Sequence, residues 1–150
     1  MPVFPPRTSV DLSGYPDLVV IYLGMRVNAV RGLATLFGVG RGLMAIDRDK
    51  PDGLLAHESF LFSLRQVGLR QYWRDFESLE AFTRSGAHAA WWKEFSRDPA
   101  GTGFWHETYR MRGGMEAIYL HMPKLGFARF APPLDPQGPF MTARGRLDER

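Results

Sequence analysis

TGFWHETYRMRGGMEAIYLHMP, residues 102–123, decides how the chain is built. Residues 104–111 and 115–122 are two strand-prone runs rich in aromatic and branched side chains, with Gly113 and Gly114 between them. A two-residue Gly-Gly link suits a tight primed turn, because both central residues must reach positive φ. That turn sets a register in which Arg110 faces Ala117, Thr108 faces Tyr119 and His106 faces His121. Side chains alternate along a strand, so His106, Thr108, Tyr119 and His121 are expected on one face. Trp105, Glu107, Tyr109, Ile118 and Leu120 are expected on the other. The first set predicts the wall of a polar-lined site and the second a core face.

Upstream, residues 18–28 read LVVIYLGMRVN. Val19, Ile21, Leu23, Met25 and Val27 form one apolar face of a strand. Tyr22, Gly24, Arg26 and Asn28 lie on the other, which is expected to share a cavity with the hairpin's polar face. Residues 30–46 have helical spacing through Val30, Leu33, Ala34 and Phe37. The glycines at 38, 40 and 42 predict a kink or break there, each costing about 1 kcal/mol against Ala. Strands are predicted over residues 58–63 and 69–76. One helix is predicted over 77–98, with Ser78 as its N-cap and Asp98-Pro99 as its end. His88, Trp91, Trp92 and Phe95 form its apolar stripe, read as core or dimer contact. His57 falls in a linker.

Residues 1–17 are rich in Pro, Ser and Asp and read as an extended arm. Residues 127–150, rich in Pro, Gly and charge, read as an irregular tail. Between them, residues 18–126 give the order β-α-β-β-α-β-β. That order is a ferredoxin-like α+β layer, an antiparallel sheet with helices on one face. The bare face needs a cover. A second copy supplies it in a homodimer whose sheets face each other, which defines a dimeric α/β barrel.

Composition removes several functions. The 150 residues are 45% apolar and 23% charged, as in an ordinary globular domain. The net charge of +3 is spread without a Lys/Arg run, so nucleic acid is not an expected partner. Without cysteine there is no disulfide, thiolate metal site or Cys nucleophile. No apolar run is long enough to span a bilayer and no leader is evident, so no membrane partner and a cytoplasmic location are expected.

Four blocks in order, IYLGMRVN, QYWRDFESLEAF, FWHETY and GGMEAIYLHMP, carry a resemblance. The chain resembles a family of small monooxygenase-like proteins related to the monooxygenase of the fumagillin polyketide pathway. The family is akin more distantly to antibiotic-biosynthesis monooxygenases, and by fold to haem-containing aldoxime dehydratases. The resemblance implies a homodimeric barrel with a buried pocket for a small apolar or aromatic, polyketide-like substrate, and an oxygenation reaction.

The candidate residues follow from the predicted faces. His106 is the expected general base. Arg26 and Tyr119 complete the catalytic set by stabilising the resulting anion, with Asn28 beside Arg26. Tyr22 and Trp73 form an aromatic wall, and Thr108 and His121 line the same pocket. His106 with His121 lacks a carboxylate on its face in this register, so no metal site is assigned. No bound cofactor is favoured. Haem, with one of these histidines as axial ligand, is the alternative, and a non-catalytic carrier or sensor of hydrophobic molecules is the third reading.

Overall fold

The computed structural model describes residues 7–124, 128 and 130–148. The start of the expected arm, residues 1–6, and residues 125–127, 129, 149 and 150 of the following segments lie outside the described residues.

Strand β1 (Val19–Val27) is the centre of a five-stranded sheet. β2 (Leu54–Ser63) and β3 (Gln66–Trp73) lie to one side, and β4 (Thr102–Arg110) and β5 (Glu116–Leu120) to the other, in the order β2-β3-β1-β4-β5. Every neighbouring pair is antiparallel. The alternation in β1 explains its position. Val19, Ile21, Met25 and Val27 are buried on one face, and each such side chain contributes about 1.5–3 kcal/mol.

Helices α1 (Gly32–Asp49), α2 (Phe76–Thr83) and α3 (Gly86–Arg97) follow in the expected places and cover that apolar face. One core cluster joins Val19, Ile21 and Trp73 to Phe76 and Leu79. A second joins Met25 and Phe104 to Phe95. The fold is α+β with an antiparallel sheet and helices on one face, as the element order predicts.

Four local expectations need correction. Helix α1 runs unbroken through Gly38 and Gly40, because glycine keeps its N–H and weakens a helix without blocking it. The predicted 77–98 helix is two. Ser85 is extended, and Thr83 and Ser85 turn their hydroxyls back onto the carbonyls of Glu80 and Phe82, at 2.8 and 2.6 Å. Asp75, not Ser78, caps α2, accepting the Ser78 N–H at 2.7 Å. The tail is not wholly irregular. It holds a 3-10 helix, Gly138–Met141, and helix α4 (Ala143–Asp148), whose Arg146 and Leu147 are buried.

The hairpin is the largest correction. Residues 111–115 form a five-residue loop between β4 and β5. Gly113 has φ +101°, while Gly114 does not adopt positive φ, so the two-residue primed turn does not form. His106 consequently pairs with Ile118 and not His121, Thr108 pairs with Glu116, and Trp105 pairs with Tyr119. The partner of His106 lies three positions earlier than the Gly-Gly turn requires. An odd displacement moves every β5 side chain to the opposite face.

Candidate active site

A cavity of about 1270 Å³ lies between the sheet and its own helices. The sequence places the pocket between two facing sheets, whereas this cavity occupies the helix side of a single chain. Its floor is the apolar side of the sheet, with Ile21, Leu23, Leu69 and Ile118. α1 adds Leu36 and Val39, α2 Leu79 and Phe82, and α3 His88, Trp91 and Trp92. Such an apolar enclosure with a few convergent polar groups suits a small-molecule ligand.

The register of the sheet gathers those polar groups. Leu23 pairs with His106 and Ile21 with Thr108, so both polar side chains share the apolar face of β1 and line the cavity. The corrected β4–β5 pairing brings Glu116 to the same face. Glu116 Oε1 lies 3.5 Å from His106 Nδ1 and accepts a hydrogen bond from the Thr108 hydroxyl. Its other oxygen accepts the Arg146 Nε–H at 2.7 Å. Arg146 in turn donates through Nη1 to the Phe140 carbonyl at 2.7 Å. Glu116 has no exposed surface.

Burial alone pushes the Glu116 carboxyl up. The hydrogen bond and charge of His106, the charge of Arg146 and the Thr108 hydroxyl outweigh it and bring it down to about 2. Glu116 is therefore a buried carboxylate braced on both oxygens. The carboxylate beside Nδ1 favours a proton on that nitrogen, which leaves Nε2 as the proton acceptor.

His88 is a second cavity histidine that the sequence reads as core or dimer contact. Its Nδ1 lies 3.3 Å from the Thr83 carbonyl, and its ring lies 5.1 Å from Phe82 and 6.2 Å from Trp91. Burial lowers its proton affinity, the Thr83 carbonyl partly restores it, and the charge of His106 lowers it further. The neutral imidazole is the favoured form.

The other expected site residues are elsewhere. Tyr22 and Tyr119 lie on the opposite face, where Glu107 pairs with Tyr22 across the strands and accepts hydrogen bonds from Tyr109 and Tyr119. Trp73 and Tyr22 cannot form one wall, because they point to opposite faces. Trp73 is fully buried, donates to Gln71 at 3.1 Å and packs on Phe82. Arg26 donates to the Gln66 side chain at 3.3 Å. Asn28 donates to the carbonyl of the exposed His121 at 3.0 Å, so these two meet outside the cavity. Of the eight expected residues, only His106 and Thr108 line the cavity. Glu116 escaped the sequence reading through the turn length alone. Arg146 had one weak signal, an i, i+3, i+4 set of Ala143, Arg146 and Leu147 in a polar tail.

Residues 18–127 match the monooxygenase af470-like family. The chain belongs to that family. The match covers the span, residues 18–126, over which the sequence carries the resemblance. No curated protein matches the sequence. Among solved structures, an aldoxime dehydratase is similar with a TM-score of 0.51 and 20% identity over 65% of this chain. The match covers only 29% of that enzyme's length. A conserved Bacteroides thetaiotaomicron protein of unknown function is similar with a TM-score of 0.50 and 16% identity, covering 63% of this chain and 98% of that one. These two likenesses show a shared fold. Among the described residues, no helix is long and apolar enough to cross a membrane, and no group of three or more His, Asp or Glu is arranged to hold a metal ion.

Proposed function

We propose that this chain oxygenates a small, largely apolar or aromatic molecule held between its sheet and its helices, with His106 as the base. The observation that carries the reading is the His106–Glu116 pair in the wall of an apolar cavity of about 1270 Å³. His106 Nε2 takes a proton from an activated C–H or O–H of the substrate. Glu116, itself held by the Thr108 hydroxyl, lies behind the ring, and its charge stabilises the imidazolium. The substrate anion then supplies the electrons for dioxygen. In the balanced overall step an activated CH₂ becomes C=O, one oxygen atom enters the product and the other leaves as water. The apolar walls exclude bulk water from the reactive anion.

A homodimer belongs to the same reading. Every α-helix contributes to the cavity on the first face. The second face carries a half-exposed Phe62 and Tyr22 over the buried Trp105, with ring centroids 5.5–6.2 Å apart. Sedimentation at two ionic strengths tests it, a monomer counting against it.

Haem is the second reading, favoured by two histidines, His88 and His106, in one apolar cavity large enough for a macrocycle. His106, braced by Glu116, would hold the haem, which would supply redox and Lewis-acid chemistry.

Two measurements decide. Oxygen uptake with a panel of phenolic and polyketide-like compounds should show turnover that His106→Ala removes while the variant stays folded. Turnover by His106→Ala equal to the parent's refutes the base. A Soret band that forms with haemin and is lost in His106→Ala selects the haem protein. Ligand binding with no product from any substrate selects a carrier.

A further inference from the structure

The family match ends at residue 127, yet the Glu116 carboxylate is completed by a residue beyond it. Helix α4 is only six residues long, but it is fastened at three points. Leu147 enters the core beside Val19 and Trp73. Arg144 clamps both carboxylate oxygens of Glu80, at 3.3 and 2.9 Å, with its guanidinium 4.6 Å from the Phe76 ring centroid. Gly145 packs so closely on the Pro139 carbonyl that a Cβ would lie 1.7 Å from its oxygen. These contacts aim Arg146, whose side chain is 8% exposed, at Glu116 and at the Phe140 carbonyl. Met141, Thr142, Ala143, Arg144 and Arg146 also line the cavity.

We propose that the C-terminal segment completes the active site, with Arg146 as a positioning residue that holds Glu116 where it supports His106. This rests on the reading of His106 as the base. Two directed N–H bonds fix the guanidinium, one to Glu116 and one to the backbone, so the carboxylate it grips has little freedom to rotate. A buried ion pair kept for stability alone has little advantage over an apolar pair of the same volume. Here the carboxylate also serves a cavity histidine, which an apolar pair cannot do. The domain of residues 18–127 therefore carries His106, Thr108 and Glu116, and the tail supplies the cation that sets them.

The test needs no substrate. The 150-residue chain with carbon-13 glutamate and nitrogen-15 histidine is followed through pH for the parent, Arg146→Met and Arg146→Lys. The contacts of the parent hold the Glu116 carboxyl well below the usual carboxylate range, down to about 2. In Arg146→Met its midpoint should rise by on the order of one pH unit or more, and the His106 Nδ1 signal should change with it. Arg146→Lys keeps the charge but not the fork, so its Glu116 midpoint should rise less while the His106 signal still moves. A folded Arg146→Met whose His106 signal is unchanged overturns the proposal, whether or not the Glu116 midpoint moves. If that variant does not fold, an unmoved His106 signal in Arg146→Lys overturns it, as does failure of both variants to fold, which would make Arg146 a core residue only. Loss of the oxygenase reading would leave the spectra unchanged, because none of them depends on turnover.

Discussion

His106 and Glu116 come from neighbouring strands and face each other at 3.5 Å, Nδ1 to Oε1, on the helix-covered side of the sheet. Neither the histidine nor the carboxylate owes this meeting to sequence proximity. It follows from the register of β4 on β5.

The pair makes stability depend on acid. The folded Glu116 value of about 2 lies below the ordinary 4.5, so its contribution is complete at neutral pH and disappears as the pH falls from about 4.5 to about 2. At about 1.4 kcal/mol for each pH unit, roughly 3 kcal/mol is at stake. Denaturant unfolding of the parent should lose about that much more than Glu116→Gln across this window. At pH 7, Glu116→Gln should be less stable by about 3–5 kcal/mol, because it leaves Arg146 buried without its counter-charge.

Thr108 is fully buried and donates its hydroxyl to Glu116. Thr108→Val keeps the shape and removes the donor. Urea unfolding should show a loss of about 1.5–3 kcal/mol, as expected for a bond to a charged group.

Gly24 marks a close approach on the other face. A Cβ there would lie 2.1 Å from the Trp105 ring and 2.3 Å from the Val67 carbonyl oxygen. Gly24→Ala should cost about 1–3 kcal/mol, read as a lower melting temperature, because the backbone neighbour cannot swing aside.

Ile118 sits opposite His106 and lines the cavity. Ile118→Trp should fill space there and weaken the binding of an apolar fluorescent dye, by roughly tenfold or more, judged from what small changes in pocket volume do elsewhere. Dye affinity unchanged by this substitution would place the ligand outside the cavity.

The sheet and helices were legible because their signals are local. The alternating apolar side of β1 and the Trp91, Trp92 and Phe95 stripe of α3 are enforced by burial of the same residues, whereas the stripe read for α1 fails, because Val30, Leu33 and Phe37 are exposed and Leu36 and Val39 face the cavity instead. The hairpin was misread because its faces hang on one turn. A five-residue loop in place of a two-residue one exchanged Tyr119 for Glu116 beside His106. Arg146 was hidden for a different reason. Six residues of helix in a Pro- and Gly-rich tail have almost no periodicity of their own, and only long-range contacts with Glu116, Glu80 and the core hold them.

The cavity is roofed by α1 and floored by β1 and β3, and α1 leaves Phe37 and Met44 largely exposed. Any molecule that fills the space becomes mortar between two layers. Its affinity is then added directly to folding, by about 2.7 kcal/mol at a hundredfold excess over the dissociation constant. A compound library can therefore be ranked by melting temperature alone, and the substrate sought before its chemistry is known.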